Sequence, residues 1–220
     1  MLGIPAPVAC RPPLSGRGFS LIELVIAISI IAILTLLGLP AFGVFLDNQK
    51  IRAAVESMYS GLQQARVEAV KRNTPVEFVM FDDDIDLNDF TFINSVTPAT
   101  VTGKPGGLNW AIRVPIAPLQ YELVTTRSGT ESSGSGGVSI VLMTGGVPTV
   151  TFNGFGATNG MVGTTTFQFS RINPGANPDF VCAPGGPLRC LNVAVTTGGQ
   201  IKVCDPAVNP VTSPGDTRAC

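Results

Sequence analysis

Glu23 lies inside an apolar run from Phe19 to Leu46, where the other polar side chains are Ser20, Ser29 and Thr35. An ionised carboxylate in a membrane helix costs a few kcal/mol at the bilayer centre and less near an edge, and such residues usually have a partner. Arg17-Gly18 stands directly before the run. A cut after Gly18 would create a new ammonium group on Phe19, four residues from Glu23. That amine, on the same chain or a neighbour, could neutralise the carboxylate.

Other chemistry is thinly represented. The chain has no histidine, which removes Ser-His-Asp and Cys-His arrangements and every histidine metal site. Of five cysteines, Cys10 precedes the apolar run, while Cys182, Cys190, Cys204 and Cys220 crowd the last forty residues. None forms a C-x-x-C pair, which argues against zinc or thioredoxin-like chemistry. Val8-Ala9-Cys10 does not read as a lipoprotein signal, because no basic segment and no apolar segment precede it. Four cysteines in a loop-rich tail fit disulfides and an oxidising compartment, with reduced, partly buried thiols as the plainer alternative. Three connectivities are open. Cys182 with Cys190 would close a Pro-Gly loop, and Cys204 with Cys220 would close the final Pro-rich segment; these two pairs are preferred.

Asp82, Asp84, Asp86 and Asn88 alternate like the start of a calcium loop, but Leu87 stands where glycine is required and Ile93 where the closing glutamate belongs. A solvated acidic loop is expected. Neighbouring aspartates do not define a glycosidase pair either. Gly134, Gly136 and Gly137 lack the Lys-Ser/Thr and following helix of a phosphate loop, and read as a flexible connector. No metal, cofactor or catalytic residue is expected, and the chain does not read as an enzyme. Charged residues make up 13% with a net charge of −1, so there is no bulk attraction for nucleic acid.

The elements that must position Glu23 and the cysteines follow from periodicity. The apolar run exceeds the roughly 20 residues that span a bilayer as a helix. It is too long for the core of an ordinary secretory signal, and a plain single-span anchor is the bland reading. Beyond it Ile51, Ala54, Val55, Met58, Leu62, Ala65 and Ala69 recur at three- and four-residue steps, an amphipathic pattern. Arg52, Glu56, Gln63, Arg66 and Lys71 fall largely off that stripe, and Asn73 and Pro75 supply a stop. A helix from Ser20 to about Arg72 would be about 80 Å long at 1.5 Å per residue. Gly38 and Pro40 suggest a kink or local melt. Gly (25) and Pro (18) make up about a fifth of the chain, above the average of roughly 12%, and concentrate after residue 95. Strands are expected at Val76–Phe81, Trp110–Val114, Tyr121–Thr126, Val138–Met143, Thr149–Asn153, Thr164–Ser170, Leu191–Thr196 and Gln200–Cys204. Gly145-Gly146, Asn153-Gly154 and Gly198-Gly199 supply turns, the last a two-residue hairpin signal. Trp110 and the strand phenylalanines read as core. One long helix followed by antiparallel strands argues an α+β domain.

Gly18-Phe19-Ser20-Leu21-Ile22-Glu23-Leu24, followed by a long apolar run, resembles the processing motif of type IV prepilins and type II secretion pseudopilins. The resemblance implies that a prepilin peptidase cuts after Gly18 and methylates Phe19. It also implies that Glu23 pairs with the amine of an adjacent subunit during assembly. The amphipathic helix, the strand–turn–strand around Thr149 to Gly156 and the closing hairpin narrow it. Over most of residues 55 to 206 the chain is similar to the GspH/FimT family of minor pilins and pseudopilins.

That resemblance implies a type IV pilin-like fold. Residues 1-18 are the leader, 19-46 the transmembrane and filament-core helix, 47-73 its amphipathic continuation, and 74-220 a periplasmic β-rich domain with a cysteine-containing tail. It implies a structural subunit that initiates or caps a secretion pseudopilus or a type IV pilus. Its partners would be other pilins or pseudopilins, the prepilin peptidase and an inner-membrane assembly platform. Flanking charges tie, Arg11 and Arg17 against Lys50 and Arg52, so orientation follows the resemblance and the cysteines: a single-pass inner-membrane protein, amino end cytoplasmic and carboxyl domain periplasmic. Some pilus relatives bind DNA through a basic Gly-Arg-x-Arg segment; here it reads Gly199-Gln200-Ile201-Lys202. With one arginine lost and the other replaced by lysine, half the phosphate-binding charge and the planar bidentate contact are gone. Lys202 is the remaining contact in that alternative, a DNA-binding minor pilin for DNA uptake.

Overall fold

The structure is a computed structural model describing residues 19–81, 109–118, 120–128, 138–144, 149–171, 182, 186–208 and 211–220. Cys10, Gly18, the Asp82–Asp89 cluster and the Gly134–Gly137 connector lie outside these residues. Helix α1 (Leu21–Arg72) is followed by β1 (Val76–Phe81), β2 (Asn109–Ala117), β3 (Gln120–Arg127), β4 (Val138–Thr144), β5 (Thr149–Phe152), β6 (Thr165–Arg171), β7 (Leu191–Val195) and β8 (Ile201–Cys204). The chain divides into two compact units, Met1–Ala41 and Phe42–Cys220.

In the first unit the helix starts at Ser20, whose carbonyl accepts from the Leu24 amide at 3.2 Å. Glu23 occupies the first turn, where the helix dipole favours negative charge. The two hydroxyls within the run turn inward on the backbone. Ser29 donates to the Val25 carbonyl at 2.7 Å, and Thr35 donates to Ile31 and Ala32. Their polarity is satisfied within the helix. Every large apolar side chain from Leu21 to Leu34 is exposed, so the segment is hydrophobic all round. Such a helix belongs in a core or a bilayer. Among the described residues no helix is long and apolar enough to cross a membrane; side chains are described up to Thr35 and again from Phe42. Helix α1 runs unbroken through Gly38 and Pro40, so the local melt expected there does not occur.

In the second unit the helix buries the stripe legible in the sequence: Ile51, Ala54, Val55, Met58, Leu62, Ala65 and Ala69. It ends in a Schellman arrangement. Asn73 adopts φ 49°, its amide donates to Val70 and the Thr74 amide to Ala69, both at 3.3 Å. These bonds satisfy carbonyls that the helix end leaves free.

The strands form two antiparallel four-stranded sheets, ordered β3-β2-β1-β5 and β4-β6-β7-β8. The helix stripe joins one core with Phe78, Trp110, Ile112, Phe152, Phe167 and Phe169. Gly61 permits the approach. A Cβ there would lie 2.9 Å from both the Phe78 and Trp110 rings, whose centroids are 5.3 Å apart. Strand β6 alternates buried and half-buried residues from Thr165, as a one-sided strand should. Strand β2 instead is buried on both faces from Asn109 to Val114. There Arg113 bonds Glu77 at 2.8 Å and lies 3.7 Å from the Tyr121 ring centroid, which supplies the partners that a buried cation requires.

Candidate functional site

The amino-terminal candidates are simple in geometry. Phe19 and Glu23 are both exposed, and Glu23 has no ion-pair or hydrogen-bond partner among the described residues. The side chain projects from an apolar surface with no partner among the described residues, and in a low-dielectric surrounding an ammonium group brought beside it would be attracted.

At the other end of the chain, the structure joins Cys182 to Cys190 and Cys204 to Cys220. The second bridge fastens the end of the tail beside the end of β8. The Asp205 amide donates to the Arg218 carbonyl at 2.7 Å, and Asp205 pairs in parallel with Ala219. Lys202 belongs to the same fastening: its Nζ donates to the Ala219 carbonyl at 2.6 Å. Of the four residues at the nucleic-acid position, Gly199 forms the hairpin, Ile201 is buried and Lys202 is tied to the tail. The tail turn is held by Arg218, whose guanidinium and amide both bond the Asp216 carboxylate and lower its pKa to about 2. Asp216 in turn raises that of Arg218.

The hairpin differs from the two-residue turn suggested by Gly198-Gly199. The Thr196 amide donates to the Gln200 carbonyl and the Gly199 amide to the Thr196 carbonyl, leaving a three-residue turn, Thr197 to Gly199. Its last residue takes φ 76°, and this geometry matches strand twist when glycine holds the left-handed position. Gly199 has a second reason to be glycine. A Cβ there would collide with the Gly156 carbonyl.

That close approach brings together parts that sequence reading leaves separate. The Asn153 side chain accepts from the Phe155 and Ala157 amides. It thereby closes the loop after β5. Thr158 from this loop bonds the Thr196 and Thr197 carbonyls, tying the two sheets at the β7–β8 hairpin. Arg66, which falls largely off the apolar stripe, donates its Nε to the Gly156 carbonyl at 3.0 Å. The Asn153-Gly154 and Gly198-Gly199 turn signals marked the two turns beforehand, but nothing marked their contact. Further along the helix Asp47 pairs with Arg171, and Asn48 bonds the Pro187 carbonyl and the Arg189 amide. Neither contact had a sequence signature. At the helix end, the Arg72 guanidinium lowers the pKa of Glu68, while Glu122 and then Glu68 raise that of Arg72. Among the described residues no group of acidic or cysteine side chains could hold a metal ion.

One long amino-terminal helix, apolar all round at its start and striped where antiparallel strands pack on it, is the plan of a pilin-like subunit. The chain belongs to the family Type II transport protein GspH, whose sequence profile matches residues 54–199. The prokaryotic N-terminal methylation motif matches residues 15–39, a span containing Gly18, Phe19 and Glu23. Among solved structures, the type IV minor pilin FimU of Pseudomonas aeruginosa (strain PAO1) is similar at 15% identity and TM-score 0.47, covering 74% of this chain and 93% of FimU. The minor pseudopilin EpsH from the type 2 secretion system of Vibrio cholerae is similar at 14% identity and TM-score 0.42, covering 72% of this chain and 98% of EpsH. No protein of curated function matches the chain.

Proposed function

We propose that this chain is a minor pilin-like structural subunit, made as a precursor, that initiates or caps a type II secretion pseudopilus or a type IV pilus. The peptidase cuts after Gly18 and methylates Phe19. The helix from residue 19 to 46 holds the subunit in the inner membrane, amino end cytoplasmic, until an assembly platform extracts it. The amine of one subunit and Glu23 of its neighbour then set the register, and the periplasmic domain presents the tip surface. The observation that carries this reading is a Glu23 without a partner among the described residues, on an all-round apolar helix and inside a matched methylation motif. Outside lipid, that surface calls for an apolar cover, which other helices of the same kind would supply. The role is structural and needs no catalytic group.

The test is replacement of Glu23 by alanine. Incorporation into filaments should fall by at least about tenfold, the loss of one desolvated charge pair, while the melting temperature of the folded domain stays unchanged. Unaltered incorporation would remove the pairing. Mass spectrometry of the mature chain should find Phe19 first and methylated; an amino terminus before Phe19 would sink the processing step. The DNA-uptake alternative gains no support, because Lys202 is engaged with Ala219.

A further inference from the structure

Where the amphipathic part of α1 meets the edge of the second sheet, the second unit has a groove of about 430 Å³, within the roughly 300–1,000 Å³ of small-ligand sites. Asn48 and Arg52 line it from the helix, Arg189 from the loop before β7, and Leu191 and Val203 from β7 and β8. The arrangement is built rather than incidental. Asn48 clamps the loop by bonding the Pro187 carbonyl at 3.0 Å and the Arg189 amide at 2.8 Å, and the Cys182–Cys190 bridge closes the same loop. Arg52 stands one helical turn from Asn48, on the same face, so the clamp brings Arg189 to the groove that Arg52 lines.

The charges there are unbalanced. Arg218 is held by Asp216, and Asp47 is consumed by Arg171. Asp205 also lines the groove, accepts from the Ala207 amide and acts on Arg218. The guanidinium groups of Arg52 and Arg189 have no hydrogen-bond or ion-pair partner among the described residues. Paired guanidinium groups are suited to phosphate oxygens. The floor, by contrast, is apolar: Leu191 is half-buried and Val203 37% exposed. Within the same unit Phe42, Phe45 and Leu46 are exposed in the two turns before Asn48, as at a membrane surface.

The geometry points to a binding site for the head of an anionic phospholipid, with Arg52 and Arg189 on the phosphate and Leu191 and Val203 against the glycerol and first acyl carbons. This rests on the membrane-anchored reading above, and gives the waiting subunit a lipid contact that is released on extraction.

The experiment uses the full-length chain in a neutral detergent, titrated calorimetrically with dihexanoyl phosphatidylglycerol, dihexanoyl phosphatidylcholine and inorganic phosphate. Phosphatidylglycerol should bind saturably and at least about tenfold more tightly than the other two, and more weakly as salt rises. The double variant Arg52→Gln/Arg189→Gln should lose about tenfold or more of that affinity as charge-assisted bonds are removed. Arg127→Gln, an exposed arginine elsewhere, should lose none. Equal binding of phosphatidylcholine, equal binding of inorganic phosphate, or an unaffected double variant would each overturn the lipid site. So would absent lipid binding together with poorer filament incorporation by the double variant, which would assign the groove to an acidic neighbour. Whether the chain partitions into membranes on carbonate extraction is a separate readout, so a failed groove and a failed anchor are told apart.

Discussion

From Leu21 to Leu34 the helix leaves ten large apolar side chains exposed, whereas from Ile51 to Ala69 it buries one stripe against two sheets. The residues are of similar type, and each apolar side chain taken from water contributes roughly 1.5–3 kcal/mol. The difference lies in where the covering surface comes from. For the second half it is supplied by the same chain, so its burial stabilises the folded domain. For the first half it must come from lipid or other subunits, so its burial stabilises location and assembly. On the proposed reading, fold stability and assembly are separable properties, controlled by different residues.

Mutations that sharpen this contrast should unfold the domain without touching the apolar segment. Phe167→Ala empties a fully buried site in the second sheet and should cost about 3–5 kcal/mol of domain stability in denaturant titration. The melt should be lowered while membrane partitioning of the chain persists. Loss of both together would mean the two regions are not independent.

Replacing Cys204 and Cys220 by serine removes a bridge spanning 16 residues, and should lower stability by about 2–4 kcal/mol under oxidising conditions. Reductant should bring the unaltered protein to or below the level of the variant, since it opens the Cys182–Cys190 bridge as well. An unchanged midpoint in the variant would show that the Lys202 and Asp205 contacts hold the tail by themselves.

Smaller still is Arg66→Ala. The Gly156 carbonyl would lose its donor from the helix, at about 1 kcal/mol, with exchange of the Ala157 and Thr158 amides accelerated as the junction between the sheets loosens. If the stability change is nil, solvent replaces the guanidinium there. The least effect is expected from pH. The Asp216 carboxyl, about 2 in the folded chain against 3.8 ordinarily, binds its proton less readily when folded. Its contribution is present above about pH 4 and is lost as pH falls through 2. The exposed ion pair makes that contribution slight. Asp216→Asn should flatten this part of the acid titration while leaving the midpoint at pH 7 nearly unchanged.

Periodicity marked the helix stripe, and short apolar runs between Gly and Asn turn signals marked the positions of the eight strands among the described residues, because both patterns are local in the chain. The processing motif was equally legible, since its meaning depends on a charge, a glycine and an apolar run in immediate succession. Local order could not reveal the contacts between distant segments. Arg66 on Gly156, Asn48 on the loop before β7, Lys202 on Ala219 and the three-residue hairpin beneath Gly156 join positions 17 to 141 residues apart or depend on them. A sequence position carries its side chain's chemistry but not its neighbours. Whether Lys202 faces a phosphate or its own chain's carbonyl is decided only when the tail folds back.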